Sequence, residues 1–185
     1  RLGTEMPRTV KFKILMALLA AAFFRLSAMA GETVAEPPGY RMEEYRAPVP
    51  ETLRGAQVVT TQDALDLWKQ KSAIFFDVMP HAPKPAKLPA GTIWREKIRK
   101  NIPGSAWLPN VGYGAISKTD EEYFRAGIDA KTGGDMARKI LFYCLTDCWM
   151  SWNAAKRAIE WGHTSVLWYP LGADGWESDG RSLIQ

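Results

Sequence analysis

Short, unbroken apolar runs alternate along this chain with segments of helical period. Ala73-Ile74-Phe75-Phe76-Asp77-Val78 meets no charge until its end, as expected of a strand covered on both faces. Ile140 to Tyr143 is a second run of this kind, and Ser165 to Tyr169 a third. Ahead of the first, Thr60-Thr61-Gln62-Asp63 has the form of a capping box, and Ala64, Leu65, Leu67 and Trp68 follow on a helix predicted to end near Lys71. Ser151 to Trp161 also has helical spacing, with Trp152, Ala155 and Ile159 in register and Gly162 at the position that closes helices. Glu121 to Ala126 is predicted helical, Thr132-Gly133-Gly134-Asp135 a loop, and Asn101 to Pro109 a turn into a short strand. The proline-studded Met79 to Pro89 is expected to be stiff and extended, and Gly172 to Trp176 is a Gly-rich end. Strands alternating with helices at these intervals predict one α/β domain over residues 58–185, a mostly parallel sheet with helices on both faces.

Composition changes this picture mainly at the N-terminal end. The 185 residues, 46% of them apolar and with eight Trp, suffice for one domain with a substantial core plus a leader. Arg8, Lys11 and Lys13, the apolar Ile14 to Phe24 and the small residues Ala28-Met29-Ala30 form a secretory signal pattern over 1–30, with the true start expected at Met6. A cleaved signal and a periplasmic mature protein are predicted, with an uncleaved anchor as the alternative. Arg1, Arg8, Lys11, Lys13 and Arg25 against Glu5 carry all of the net charge of +4, so the remainder is neutral. Nothing in that balance calls for nucleic acid, and none is expected as a partner; nor is a membrane once the signal is removed. Residues 31–57, rich in Pro and Glu, form an arm that either is a solvated linker or packs its tyrosines on the domain. Arg95, Lys97, Arg99 and Lys100 are read as a solvated face, with docking to an acidic partner as the minority view.

Candidate chemistry is concentrated where the second apolar run meets its helix, in Cys144-Leu145-Thr146-Asp147-Cys148-Trp149-Met150. A cysteine at the carboxyl end of a buried strand, under a helix N-terminus, is in a setting that favours thiolate over thiol, and inward-facing amides there make an anion nest. Cys144 is the leading nucleophile, able to take the outer sulfur of an anionic donor as a persulfide; an inert buried residue is the alternative. Cys148, four positions on, can resolve that persulfide or pair with Cys144 as a disulfide. The pair plus His81 and His163 lacks zinc-type spacing, and no metal or other cofactor is expected. The substrate-binding set is Leu145, Thr146, Asp147, Trp149, Met150 and Ser151 from the loop, with His81, which can equally sit in solvent. Asp77, ending the first run, is placed in the catalytic set, although fixing the local loop is its more ordinary role. Trp149 and Trp152 are read as core, with Trp149 able to shield a reactive sulfur.

Asp77-Val78, Asn101-Ile102-Pro103-Gly104-Ser105-Ala106, the cysteine loop closed by Ser151 and Ala154-Ala155, and Gly175-Trp176 with Gly180 together resemble the rhodanese homology domain over about residues 58–182. The longer stretches PPGYRMEEYRAPVP, LPAGTIW, NIPGSAWLPNVGYGA and YCLTDCWMSWNAAKRA resemble the PQQ-dependent catabolism-associated CXXCW motif proteins, which are rhodanese-like and periplasmic. The broader resemblance implies a sulfurtransferase of the thiosulfate sulfurtransferase kind, with Cys144 at the persulfide position. Its partner would be a small sulfur-containing anion or a protein thiol. The narrower one implies association with a PQQ-dependent dehydrogenase or its cytochrome. A thiol-disulfide protein and a non-enzymatic accessory module remain the competing readings. The loop from Cys144 to Met150 is one residue longer than in ordinary rhodaneses, contains no arginine to hold an oxyanion, and places Leu145, Thr146 and Asp147 between the cysteines where the narrower family's label has two residues.

Overall fold

The computed structural model describes residues 33–185, so the signal-peptide reading of residues 1–30 lies outside the described residues. Five strands form one parallel sheet: β1 (Ala56–Val58), β2 (Ile74–Asp77), β3 (Ala106–Trp107), β4 (Ile140–Tyr143) and β5 (Val166–Tyr169). Their order is β1-β5-β4-β2-β3, with β4 at the centre. Parallel neighbours need crossovers: α1 (Thr61–Lys69), α2 (Lys118–Thr132) and α3 (Trp149–Glu160) supply three of them, the long segment between β2 and β3 supplies the fourth without a helix, and α4 (Gly172–Ser178) follows the last strand.

The continuous apolar runs are explained by two cores, one on each side of the sheet. Phe76, Phe142 and Trp168 point to the face covered by α2 and α3, through Phe124, Ile128, Trp152 and Ala155. Phe75, Leu141, Tyr143, Leu167 and Tyr169 point to the other, covered by α1 and α4 through Leu65, Ala173 and Trp176. Side chains alternate along a strand, so a strand buried on both faces has no position left for a polar residue. All four residues of β4 are fully buried.

The predicted helices differ from the observed ones at their ends. Thr60 caps α1 in the capping box read from sequence, but the helix stops at Lys69. α2 extends well beyond Glu121 to Ala126 at both ends. Ser117 and Asp120 form a second capping box at its start, and Gly133, in the left-handed conformation, closes it. α3 begins at Trp149 rather than Ser151, because the extended Cys148 takes the N-cap position. At its other end His163 N–H reaches Ala158 O and Gly162 N–H reaches Ile159 O, the paired bonds of a Schellman motif. The Gly-rich end is itself helical: Ala173 and Trp176, one turn apart, are buried against the sheet, and that packing overrides the low propensity of Gly172 and Gly175.

Two further expectations are resolved by contacts. The arm packs on the domain from Val34 onward, with Tyr40, Arg41, Tyr45 and Pro48 all bonded to α3. The basic segment is not wholly a solvated face. Arg99 turns inward, its guanidinium 2.6 Å from the buried Asp77 carboxylate, because an unpaired charge at that depth would be far costlier than burying part of one arginine. Among the described residues no helix is long and apolar enough to cross a membrane.

Candidate functional site

The site stands at the carboxyl end of the central strand. Cys144 follows β4 directly, and a turn through Leu145, Thr146 and Asp147 leads to Cys148 at the start of α3. Asp147 has a φ of 50°, a left-handed backbone that Asp tolerates better than most residues and that reverses the chain here. The reversal brings the Cα atoms of Cys144 and Cys148 to 6.4 Å, and the two sulfurs are bonded as a disulfide. Both residues are buried, Cys144 completely.

Neighbouring elements pin the loop. The carbonyl of Cys144 accepts the amide of Ala173 at 2.9 Å, so the start of α4 is held against it. Gly172 sits at that approach with φ 52°, and a Cβ there would lie 2.5 Å from the Cys144 oxygen, closer than any side chain can come. Thr146 donates its amide to Asp174 at 3.0 Å and its hydroxyl to the Leu171 carbonyl at 3.0 Å. On the other side Ser151 Oγ lies 3.4 Å from Cys144 Sγ, donates to Cys148 O at 3.2 Å and accepts the indole N–H of Trp168 at 3.0 Å. Both buried and fully engaged, Ser151 is a positioned hydroxyl beside the disulfide.

The anion nest expected at the start of α3 is partly occupied by the chain itself. α3 has no side-chain cap; instead the Trp149 amide donates to the Tyr45 carbonyl of the arm at 2.9 Å, and Arg46 pairs across from Cys148 as an isolated antiparallel bridge. The Trp149 indole donates to Pro48 O at 3.1 Å, so this ring anchors the arm over the sulfurs and shields them. Two polar residues on one face of α3 complete the clamp. Asn153 bonds Arg41 through both its N–H and C=O and also donates to Gly112 O, each at 2.9 Å. Arg157, buried, donates to the carbonyls of Val111, Tyr113 and Gly114 at 2.9–3.1 Å and lies under the Tyr40 ring. Burial lowers the Arg157 pKa, with Tyr40 and the carboxylates of Glu160 and Glu121 opposing that shift.

The predicted site residues are thus divided. Cys144, Cys148, Leu145, Thr146, Asp147, Trp149, Met150 and Ser151 are brought together as one loop and helix start. Asp77 and His81 stand apart from it. Asp77 lies beside Tyr143 on the α1 and α4 side of the sheet, whereas Cys144 belongs to the opposite core. Its carboxylate accepts the Met79 amide at 2.9 Å and Arg99 Nε at 2.8 Å, the loop-fixing geometry of a strand-end aspartate. Burial raises its pKa to about 6 despite Arg99, which pulls the other way. His81 is half exposed, bonded through Nδ1 to Glu96 at 2.7 Å and tilted against Trp107. Sequence reasoning did not single out Tyr45, Asn153, Arg157 or Trp168. A signal for the helix pair existed, since Asn153 and Arg157 are four apart and therefore share one face of the helix. Among the described residues no group of three His, Cys, Asp or Glu could hold a metal ion.

No family model matches the chain, and no curated protein matches it. Solved structures similar in shape include the following three. The polysulfide-sulfur transferase homodimer of Wolinella succinogenes is 17% identical, with a TM-score of 0.42, covering 70% of this chain and 79% of that one. A Rhodopseudomonas palustris protein of unknown function, described as a possible tyrosine phosphatase, is 19% identical at a TM-score of 0.42, covering 73% and 98%. An uncharacterized Saccharomyces cerevisiae protein is 19% identical at 0.41, covering 68% and 93%.

Proposed function

We propose that this chain is a thiol-disulfide protein in which Cys144 and Cys148 cycle between disulfide and dithiol, working with a protein thiol as partner. The observation that carries the reading is the Cys144–Cys148 disulfide, closed within one loop beside a positioned hydroxyl. A partner thiolate attacks Cys148 Sγ and forms a mixed disulfide, while the S–S bond breaks and Cys144 leaves as thiolate. Ser151 Oγ, polarised by the Trp168 N–H, can turn its proton to that sulfur. A second partner thiolate then attacks the mixed disulfide; Cys148 is released, the partner leaves oxidised, and two protons restore the thiols.

Persulfide transfer is the second reading. It is favoured by the place of Cys144, directly after the central strand and one turn ahead of a helix start, in the fold that the rhodanese resemblance implies. A Cys144 thiolate would attack the outer sulfur of a small sulfane-bearing anion, forming the Cys144 persulfide as the donor's S–S bond breaks and the remainder leaves, sulfite where the donor is thiosulfate. Attack by the Cys148 thiolate on Cys144 Sγ would then release that sulfur as hydrosulfide and leave the observed disulfide, the two thiols being oxidised as the sulfur is reduced. Export through residues 1–30 and service to a PQQ-dependent dehydrogenase or its cytochrome belong to this proposal, supported by the motif resemblance.

Equilibration in thiol redox buffers, followed by alkylation and mass measurement, tests the first reading. We expect a reversible two-electron transition above roughly −300 mV, where cycling rather than purely structural disulfides lie. A potential well below that value makes the bridge structural and removes the proposal. For the second reading, Cys148→Ser incubated with thiosulfate or a polysulfide should retain one added sulfur on Cys144. An unmodified Cys144 in that variant, fully reduced, rules out persulfide transfer.

A further inference from the structure

We propose that the opposite end of the sheet carries a binding groove for a small organic carboxylate with an apolar body. The chain enters β2 through Ala73 and Ile74, at the amino end of the strand, and there a cavity of about 560 Å³ opens. That is within the range of small-ligand sites, roughly 300–1,000 Å³. Ile74, Phe75 and Pro103 line it, and Trp68 stands as a wall.

That wall is fixed. The Trp68 ring packs edge to face on Trp176 at 5.6 Å, and its indole N–H is held by the Pro103 carbonyl at 2.7 Å, so the polar tip of the indole is satisfied before any ligand arrives. What remains for a ligand is ring surface, which takes a flat or aliphatic apolar body. Although held at one edge, the residue is 36% exposed, large for a tryptophan otherwise so well engaged.

Charge sets the other half of the ligand. Lys69, Lys71 and Lys131 also line the cavity, and no acidic side chain does. All three lysines are exposed, and among the described residues none of them is ion-paired. They come from three places: the end of α1, the turn after it, and the last turn of α2. Three lysines lining an apolar slot, with no acidic side chain among the lining residues, complement a carboxylate attached to a hydrocarbon body. A multiply charged phosphate ester would leave the slot unfilled, and a neutral apolar ligand would leave the charges unused. Because the groove is at the amino ends of the strands and the disulfide follows the carboxyl end of β4, binding is expected to be independent of the cysteine pair.

The test is an NMR titration of the full chain with 4-phenylbutyrate and, in parallel, its uncharged analogue 4-phenylbutan-1-ol, following the Trp68 indole N–H signal identified by its loss in Trp68→Phe. We expect saturable shifts at Trp68, with the acid binding roughly fivefold or more tightly than the alcohol, the scale of exposed charge pairing. Combining Lys69→Gln, Lys71→Gln and Lys131→Gln, all exposed positions, should bring the acid down to the affinity of the alcohol and leave the alcohol unchanged. Reducing Cys144–Cys148 should alter neither. The proposal is overturned by equal affinities in the unaltered protein, by shifts that do not saturate, or by shifts that spare Trp68. It is also overturned if only an acidic peptide, titrated alongside, binds saturably, which would make the groove a protein-docking surface.

Discussion

The two ends of the sheet are built on opposite plans. At the carboxyl end the reactive atoms are sealed: Cys144 and Cys148 are buried, the arm caps α3 through the Tyr45 carbonyl, and Asn153 and Arg157 fasten the arm and the 111–114 loop to the helix. At the amino end an apolar slot stands open, lined by Lys69, Lys71 and Lys131, none of them ion-paired among the described residues. Sealing demands polar atoms inside the protein, and each needs a partner there; openness demands none, because water solvates the lysines. The carboxyl end is therefore the end at which single substitutions should be costly, and at which chemistry requires the arm to move.

The largest effect expected from breaking this contrast is at Arg157. Its guanidinium serves three carbonyls, those of Val111, Tyr113 and Gly114, in a buried setting. Arg157→Ala leaves those oxygens unpaired and should destabilise the protein by about 3 kcal/mol, read as a lower midpoint in urea denaturation. Lysine should restore little of this, since one ammonium cannot span the fork of three carbonyls. A loss under about 0.5 kcal/mol, the scale of an ordinary surface substitution, would show that the seal is not built on this residue. If the seal controls access to the disulfide, the variant should also be reduced faster by a small thiol.

Much of this contrast was open to reading in the sequence, but unevenly. The strands β2, β4 and β5 were legible because burial on both faces leaves runs such as Ile140 to Tyr143 with no polar interruption. The cysteine loop was legible because its position, between such a strand and a helix, is itself the signal. The start of α3 was misplaced because its cap comes from Tyr45, about a hundred residues away, and no local pattern records a cap supplied from a distance. For the same reason the arm's packing stayed open: the bonds that hold it over the cysteines run through the carbonyls of Tyr45 and Pro48, and carbonyls carry no sequence signature. Asp77 was grouped with the cysteines by its place at a strand end, but the face a side chain takes depends on register, which only pairing fixes.

Asp77 gives the next test, since it lies at the sealed end yet on the far face from the sulfurs. Burial raises its pKa from the ordinary 3.8 to about 6, so folding favours its protonated form. That contribution is fully present below the unfolded value and is lost as pH rises through about 6. From this group alone, stability should increase as pH falls from about 6 towards about 4, by on the order of 2 kcal/mol. Asp77→Asn should flatten this part of the profile in urea denaturation while leaving the reduction potential of Cys144–Cys148 unchanged. A shifted potential would mean that the two faces communicate and that Asp77 belongs with the cysteines after all.

Opening the disulfide itself is expected to cost no more than this. A ring closed between Cys144 and Cys148 constrains few residues, and the chain-entropy relation gives about 2 kcal/mol for so short a loop, well below that for a long one. The loop keeps other anchors when the bond opens: Ala173 on the Cys144 carbonyl, and Asp174 and Leu171 on Thr146. Reduction, or Cys144→Ala with Cys148→Ala, should therefore lower the denaturation midpoint modestly while leaving the far-ultraviolet circular dichroism native. A bond whose loss is this cheap is suited to cycling, because both its oxidised and reduced states keep the fold. Unfolding of the reduced protein would make the bridge a structural staple, and the sealed end would then protect a strut rather than a reactive pair.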